Sequence, residues 1–274
     1  MVGDLGVGNT LATVKVTGEG AVRVNTNLAN TVRTIDASEN KGGVNFNIAT
    51  NNGNTTFTGG EGNDRINFGS TLNLQDKVDG GAGRDILGVT NQTQIISGLQ
   101  VSNIEILELN ALTGTLEAAR IAGVDEVRVT ANLSNNNGTP GTPASGAGQA
   151  IVNGLTSNST FVTNDAGDAQ LNLVDAQVAG TNDTLNLKTG LTANGTVDVM
   201  AAGVENIVYT DNLAATTGVG RTTTVNFYDT DGVVDVTNLS IAGNAGNTVV
   251  FNNLVNTIRT VDASEANPDF SSAK

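Results

Sequence analysis

The sequence predicts an all-β protein, a right-handed parallel β-solenoid with irregular insertions. Three observations lead to this fold class: the composition, a long-range repeat, and short pieces in which a turn precedes an alternating strand. The 274 residues include 34 Gly but only 3 Pro, with no Cys, His or Trp. Val, Leu, Ile and Ala supply most of the apolar residues, and Thr and Asn most of the polar ones, which favours short strands and turns over helices. Because aromatic residues make up only 3% of the chain, we expect them to contribute almost nothing to the core.

The composition also limits the function. A formal net charge of -14 argues against a nucleic-acid partner, since phosphate binding needs a Lys- and Arg-rich surface, and makes divalent cations the more natural partners. Without Cys and His, the chain lacks thiol nucleophiles and the commonest catalytic base, and no Ser lies in a G-x-S-x-G motif. We therefore expect no enzyme. No run approaches the roughly 20 apolar residues of a membrane span, and Met1 to Gly20 shows no cleavable signal peptide.

A long segment of the chain occurs twice. LANTVRTIDASE, from Leu28 to Glu39, returns 226 residues later as LVNTIRTVDASE, from Leu254 to Glu265. Before the two copies, VKVTGEGAVRVNTN resembles LSIAGNAGNTVVFNN with a one-residue adjustment. The chain therefore spans about one large repeat and the start of another.

Shorter pieces recur inside that period. SNIEILEL begins at Ser102, AGVDEVRV at Ala122 and AGVENIVY at Ala202, and the first two lie 20 residues apart, a plausible length for one solenoid coil. A second group, NDRINFG from Asn63, RDILGV from Arg84 and NDTLNLKTG from Asn182, predicts strands that begin after a polar turn.

Two segments depart from this pattern. Thr115 to Ile121, TLEAARI, has the most helix-like spacing and predicts one or two helical turns. Residues 135–148, NNNGTPGTPASGAG, hold two of the three prolines and predict an exposed loop. We thus expect a solenoid portion at 1–133, a flexible loop or linker at 134–149, and a second solenoid portion at 150–274 that ends in the start of a new repeat. The pattern leaves open whether the linker separates two domains, and favours one continuous solenoid.

The clearest chemical motif is a pair of nonapeptides, GGEGNDRIN at 59–67 and GGAGRDILG at 80–88. Both match G-G-x-G-x-D-x-U-x, where U is a large aliphatic residue. Glycines permit a tight, partly left-handed turn with carbonyl oxygens facing one point, and Asp adds a charged oxygen ligand, which together suit calcium. Folding should then be coupled to calcium binding. The alternative is a pair of Gly-Asp turns that bind nothing. Because STLNLQDKVD intervenes, we expect isolated sites.

The order of these motifs resembles a known family. TIDASENKGGVNFNIATNNGNTTFTGGEGNDRINFG, then DKVDGGAGRDILGV, then VSNIEILEL is similar to the order of elements in bacterial RTX-type S-layer proteins and related calcium-binding repeat surface proteins. The likeness is best over 28–109, weaker over 182–210, and resumes at Leu254. It implies RTX-like β-roll coils, type I secretion, a location outside the cell or on its surface, calcium-dependent folding and assembly into a lattice. The calcium ligands that it implies are Gly60, Gly62, Asp64, Gly81, Gly83 and Asp85, with Asn63 and Asp79 as additions.

The expected function is therefore that of a calcium-dependent structural subunit in an extracellular S-layer, sheet or filament. Its expected partners are Ca²⁺, further copies of itself and a cell-surface anchor, with no nucleic acid and no membrane span. Two alternatives remain. One is an extender or binding region of a large RTX-type adhesin, which the 226-residue repeat suits. The other is a stabilising appendage of a secreted enzyme.

Overall fold

The computed structural model describes residues 10–134, 150–174, 182–212, 220–228, 234–243, 247–254, 258–266 and 271–273. The chain is all-β, with parallel sheets stacked as a β-solenoid of about 10 turns and 3% helix. The predicted fold class is confirmed. Apart from Ser134, the predicted linker at 134–149 lies outside the described residues. Within the described part, no helix is long and apolar enough to cross a membrane.

The chain divides into two compact units. Unit 1 consists of 1–110 with 118–124, and unit 2 consists of 111–117 with 125–274. Each unit is built from parallel sheets in which alternate strands pair, because every coil contributes one strand to each sheet before the chain returns one layer further on.

In unit 1, one sheet has the order β1-β3-β5-β7-β9 and another has the order β2-β4-β6-β8-β10. The strands are β1 (Thr13–Gly18), β2 (Val22–Asn27), β3 (Thr34–Asn40), β4 (Val44–Asn47), β5 (Thr56–Thr58), β6 (Arg65–Gly69), β7 (Lys77–Asp79), β8 (Ile86–Asn91), β9 (Gln100–Ser102) and β10 (Ile106–Ala111).

In unit 2, the orders are β12-β14-β16-β18-β20-β22 and β11-β13-β15-β17-β19-β21-β23. The strands are β11 (Thr115–Glu117), β12 (Glu126–Val129), β13 (Ala150–Leu155), β14 (Thr160–Thr163), β15 (Gly167–Leu173), β16 (Thr184–Thr189), β17 (Gly195–Met200), β18 (Asn206–Asp211), β19 (Thr222–Tyr228), β20 (Asn238–Gly243), β21 (Thr248–Asn252), β22 (Thr260–Ala266) and β23 (Ser271–Ala273).

The segment with helix-like spacing forms no α-helix. Thr115–Glu117 is strand β11, and Ala118–Arg120 forms a single 3₁₀ turn. The prediction of one or two helical turns is thus met only by this 3₁₀ turn. Leu116 and Ala118 are both buried, and this two-residue spacing is that of a strand rather than of an α-helix.

The core of each unit comes mainly from strands with alternating burial, such as β4 and β5 in unit 1. In β19, the residues at every second position are buried, and β15 and β16 show the same period. Val, Leu and Ile fill most of these inward positions. The expectation that aromatic residues contribute almost nothing is wrong. Phe46, Phe57, Phe68, Phe161 and Phe227 are among the largest fully buried side chains, since each occupies an inward strand position.

Candidate metal centre

The two nonapeptides lie directly against each other in unit 1. Strand β6 of the first pairs with β8 of the second, with Ile66 opposite Leu87. The N–H of Ala82 donates to the carbonyl oxygen of Gly60 at 2.8 Å. The two turns are therefore stacked, although the residues between them led us to expect isolated sites. The intervening STLNLQDKVD is the far side of the same coil, because it contains a turn and strand β7 before the chain returns to this corner.

Glycine is needed in the two turns for different structural reasons. Gly81 and Gly83 have φ values of 90° and 129°, so they use the left-handed region that favours glycine. Gly60 and Gly62 have no positive φ. A Cβ atom there would overlap the Asn40 carbonyl oxygen and the Gly43 amide nitrogen of the preceding coil. The predicted left-handed turn thus occurs at the second nonapeptide, while the first needs glycine for close stacking of coils.

The aspartates of the two turns and a glutamate of the next coil form a column of carboxylates. We call Asp64, Asp85 and Glu105 the acid column. Asp64 Oδ1 accepts a hydrogen bond from the N–H of Val44 at 2.6 Å. The N–H of Asp64 donates to Asp85 Oδ1 at 2.6 Å, and the N–H of Asp85 donates to Glu105 Oε2 at 2.8 Å. Each carboxylate therefore accepts a hydrogen bond from a backbone N–H group near the start of a strand in the preceding coil.

Glu105 belongs to SNIEILEL, and the related piece AGVENIVY places Glu205 in the same role in unit 2. The N–H of Asp183 donates to Glu205 Oε2 at 2.8 Å, and the N–H of Asn206 donates to the carbonyl oxygen of Asp183 at 2.9 Å. Sequence reasoning singled out these pieces as strands but missed the glutamates. The sequence pattern that could have identified these glutamates is an acidic residue just before an alternating strand, one coil after an Asp-containing turn.

Asp85 has the most perturbed environment of the column. Its side chain is 1% exposed, and its Oδ2 atom is buried without a hydrogen-bond partner. Burial raises the pKa of Asp85 to about 7, and the negative charges of Asp64, Glu105 and Asp79 contribute to the same shift. Burial also raises the pKa of Asp64, against the opposing effect of N–H donors from Gly60 and Val44.

The two additional candidate ligands hold the turns together. Asn63 Oδ1 accepts a hydrogen bond from the N–H of Arg84 at 2.9 Å. Asp79 Oδ1 accepts one from the N–H of Gly81 at 3.2 Å and one from Asn103 Nδ2 at 2.7 Å. Both side chains thus bind backbone or amide groups across the turns.

The residues suit a hard cation in part. Asp85 Oδ2 is a buried carboxylate oxygen without a donor, and calcium favours such oxygen atoms. Among the described residues, however, no group of three or more acidic side chains is arranged to hold a metal ion. A cation at this corner would therefore need carbonyl oxygens of the glycine turns beside the carboxylate of Asp85.

A second acidic corner escaped the sequence reasoning. Asp76 is 2% exposed; its Oδ1 accepts a hydrogen bond from the N–H of Thr55 at 2.7 Å, and its Oδ2 accepts from the N–H and the side-chain amide of Asn73, both at 2.8 Å. Burial raises its pKa. The sequence signal was the Asp just before β7, which repeats the arrangement of Asp64 before β6.

Unit 2 contains an interior polar cluster that no motif predicted. Arg221 and Asp211 form a buried ion pair, and Asn247 Nδ2 donates to Asp211 Oδ2 at 2.9 Å. The hydroxyl groups of Thr189 and Tyr209 lie 2.6 Å apart; burial raises the pKa of Tyr209. These residues follow the inward two-residue period of their strands, so alternation was the available signal.

No family model matches the chain, and neither a curated protein nor a solved structure matches it. The likeness to RTX-type S-layer proteins is therefore carried by the sequence motifs alone, and functional inference starts from the geometry of the acid column.

Proposed function

We propose that the chain is a calcium-dependent, non-enzymatic structural subunit of an extracellular S-layer, sheet or filament. The observation that supports it most is the buried, unpartnered Oδ2 atom of Asp85 between two stacked glycine-aspartate turns. A cation there would relieve the cost of a buried carboxylate and the repulsion among neighbouring acids.

The proposed ligands divide into two kinds. Asp85 and Asp79 supply carboxylate oxygens, and Gly60, Gly62, Gly81 and Gly83 supply backbone carbonyls of the stacked turns. Asp64 and Asn63 contribute by positioning, because both carboxylate oxygens of Asp64 and the side-chain oxygen of Asn63 already accept backbone hydrogen bonds. The hydrogen bonds to Asp79 go to its Oδ1 atom. Calcium accepts six to eight oxygen ligands in adaptable geometry, and suits such a mixed set better than a smaller cation.

The structural role draws support from the fold and the charge. Parallel solenoid coils contact mainly their neighbours, so rigidity at each corner stiffens the whole stack. The net charge of -14 makes like-charge repulsion the main obstacle to close contact between copies, and divalent cations reduce it. Location outside the cell, type I secretion and attachment to a surface anchor are parts of this proposal that follow from the resemblance.

The second candidate, an extender or binding region of a large RTX-type adhesin, is favoured by one observation. The strand pair formed by the second copy of the long repeat reproduces that of the first, including its register shift. An extender built from many such repeats would show this similarity.

A calcium titration on one sample tests folding and assembly together. We expect millimolar calcium to raise the midpoint of thermal unfolding measured by circular dichroism, and to produce ordered sheets, tubes or fibres in electron micrographs. A chelator should reverse both effects. Magnesium at equal concentration controls for charge screening.

The outcomes separate the candidates. Thermal stabilisation without assembly favours the adhesin extender. A chain that is equally stable and equally monomeric with calcium and with chelator contradicts both.

A further inference from the structure

Two buried side-chain oxygen atoms in the described part of unit 1 accept no hydrogen bond. One is Asp85 Oδ2, and the other is Asn40 Oδ1. Asn40 is the last residue of β3 and is 0% exposed. A buried carbonyl oxygen without a donor is unfavourable, and native proteins satisfy nearly all such atoms with a protein group, an ordered water or an ion. Asn40 Oδ1 therefore needs a partner from outside the chain.

The orientation of the Asn40 amide follows from its other contacts. Asn40 Nδ2 donates to the carbonyl oxygens of Gly18 at 3.1 Å and Gly20 at 3.0 Å, both in the preceding coil. Turning the amide over would direct Oδ1 at these two carbonyl oxygens, which cannot donate. The unpartnered atom is thus the oxygen, and it can be satisfied only by a hydrogen donor or a cation.

The next coil brings the carboxylate of Asp64 to the same corner. The N–H of Glu61 donates to the Asn40 carbonyl oxygen at 2.9 Å, and a Cβ atom on Gly60 would lie 1.9 Å from that oxygen. The N–H of Gly60 donates to Asp64 Oδ2 at 2.7 Å. Gly60 therefore contacts both Asn40 and Asp64. Asn40 lies in the coil before Asp64, just as Asp64 lies in the coil before Asp85.

The charge of Asp64 favours a cation over a water molecule. Asp64 is 1% exposed, and burial raises its pKa. Among the described residues, its carboxylate accepts N–H groups of Val44 and Gly60 but forms no ion pair. A water molecule could donate to Asn40 Oδ1 but would leave this negative charge uncompensated. Calcium binds amide and carboxylate oxygens alike, and each carboxylate oxygen of Asp64 keeps a second lone pair.

We propose that Asn40 Oδ1 and the carboxylate of Asp64 are ligands of a second calcium ion, one coil before the site at Asp85. The proposal rests on the proposed calcium dependence and adds a ligand that lies outside both nonapeptides. The coil of Asn40 has no Asp at this corner, because Val44 occupies the place of Asp64, with Asn45 paired to Arg65. The side-chain oxygen of Asn40 takes the part of the missing carboxylate.

The test counts the calcium ions bound to the whole chain, by isothermal titration calorimetry and native mass spectrometry. Asn40→Leu removes the unpartnered oxygen. The matched control is Asn51→Leu, because Asn51 is 2% exposed and its Nδ2 also binds the preceding coil, at the Val32 carbonyl oxygen. Asn51 Oδ1, however, already accepts a hydrogen bond from the N–H of Gly53 at 3.0 Å.

We expect Asn40→Leu and Asp85→Asn each to bind one calcium ion fewer than the wild-type chain, and the double variant to bind two fewer. Asn51→Leu should lose stability through its missing hydrogen bonds, yet keep the wild-type number of ions. Circular dichroism shows whether each variant is folded.

A crystal structure of the wild-type chain grown with calcium gives a measurement that does not depend on how a variant folds. We expect a calcium ion about 2.3–2.6 Å from Asn40 Oδ1. A water molecule in that place, at the hydrogen-bond distance of about 2.7–3.0 Å, overturns the proposal.

The calcium counts also separate this proposal from the site at Asp85. If Asp85→Asn loses one ion and a folded Asn40→Leu keeps the wild-type number, the second site is contradicted and the site at Asp85 is kept. A wild-type chain that binds no calcium contradicts both.

Discussion

Asp64 and Asp85 occupy equivalent places in neighbouring coils, but their second carboxylate oxygens meet different groups. Asp64 Oδ2 accepts a hydrogen bond from the N–H of Gly60 at 2.7 Å. The corresponding N–H of Gly81 donates to Asp79 instead, which leaves Asp85 Oδ2 buried without a donor. Asp85 is therefore the acid of the column that should respond most to protons and cations.

The first prediction concerns pH. The pKa of Asp85 is about 7 in the folded chain, against an ordinary value of 3.8. Between these values the folded chain holds a proton that the unfolded chain has released, so the free energy of unfolding should fall as pH rises from about 4 to about 7, by an amount on the order of 2–4 kcal/mol. Urea unfolding in chelator across this range measures it.

Asp85→Asn serves as the test variant, because a neutral amide imitates the protonated acid. It should flatten the decline with pH and weaken the calcium-induced rise in thermal stability. Asp76→Asn is the matched control, since Asp76 is equally buried but accepts hydrogen bonds at both oxygens; it should lower stability yet keep the calcium response. An unchanged calcium response in Asp85→Asn would remove Asp85 from the site.

A second prediction concerns the buried ion pair of unit 2. Arg221→Met leaves Asp211 buried without its cation, and should lower the free energy of unfolding by about 3–5 kcal/mol. Asp211→Leu should have a similar cost. The double variant should cost at least about 1 kcal/mol less than the two single costs together, because no charge is left unpaired. Additive costs in urea unfolding would show that the pair is not coupled.

At the scale of the elements, the corners rather than the strands set how closely coils approach. Gly59 lies against Gly80, Gly60 lies against the Asn40 backbone, and Gly62 lies against Gly43. These contacts let backbones of successive coils meet where a side chain would separate them. The strands that follow then pair in register from Arg65 with Ile86 to Asn67 with Gly88.

Two glycine substitutions separate this effect from backbone flexibility. Gly60→Ala should lower the free energy of unfolding by about 2–3 kcal/mol, because the new Cβ overlaps the neighbouring coil. Gly20→Ala meets no atom within 4 Å, and should be neutral or stabilising by about 0.4–1 kcal/mol, since it restricts the unfolded chain. Thermal unfolding measures both, and equal effects would contradict the stacking explanation.

Alternation made the strands predictable, whereas contacts between coils did not. The two-residue period of segments such as TLNLKT at β16 indicates a half-buried strand without further information. The register between neighbouring coils depends on residue pairs of adjacent strands, such as Arg65 with Ile86. No local sequence pattern specifies these pairs. For this reason the two nonapeptides were predicted as separate sites, although they stack.

For the whole molecule, each strand is stabilised by the strands before and after it in its sheet. Strand β18 pairs with both β16 and β20, whereas β22 pairs with β20 alone among the described strands. In a stack with nearest-neighbour contacts, terminal coils open more easily than internal ones.

Hydrogen exchange followed by mass spectrometry should show this gradient within unit 2. Amides of β22 are expected to exchange at least about tenfold faster than those of β16 and β18, because β22 pairs with one strand among the described residues and each of the other two pairs with two. Equal protection across these strands would show that unit 2 opens only as a whole.

The fold was therefore more predictable than the site. Composition and the repeats indicate a β-solenoid, and the nonapeptides locate the corner that carries Asp64 and Asp85. The sequence did not indicate that Asp64 is satisfied and Asp85 is not, because this difference arises from Asp79 taking the N–H of Gly81. Nor did it indicate the inward ion pair of Arg221 and Asp211, which requires the end of β18 and the start of β19, in two different sheets, to face one interior.

The acid column also bears on how such a chain evolves. Every member accepts a hydrogen bond from the backbone of the preceding coil, and Asp64 and Asp85 also donate their own N–H groups to the next carboxylate. An in-frame duplication of one Gly-Asp coil would add a layer whose donors and acceptors are already complementary, and Glu105 would still close the series. Gene duplication can thus lengthen the molecule in whole layers, with no compensating substitution at the new junction.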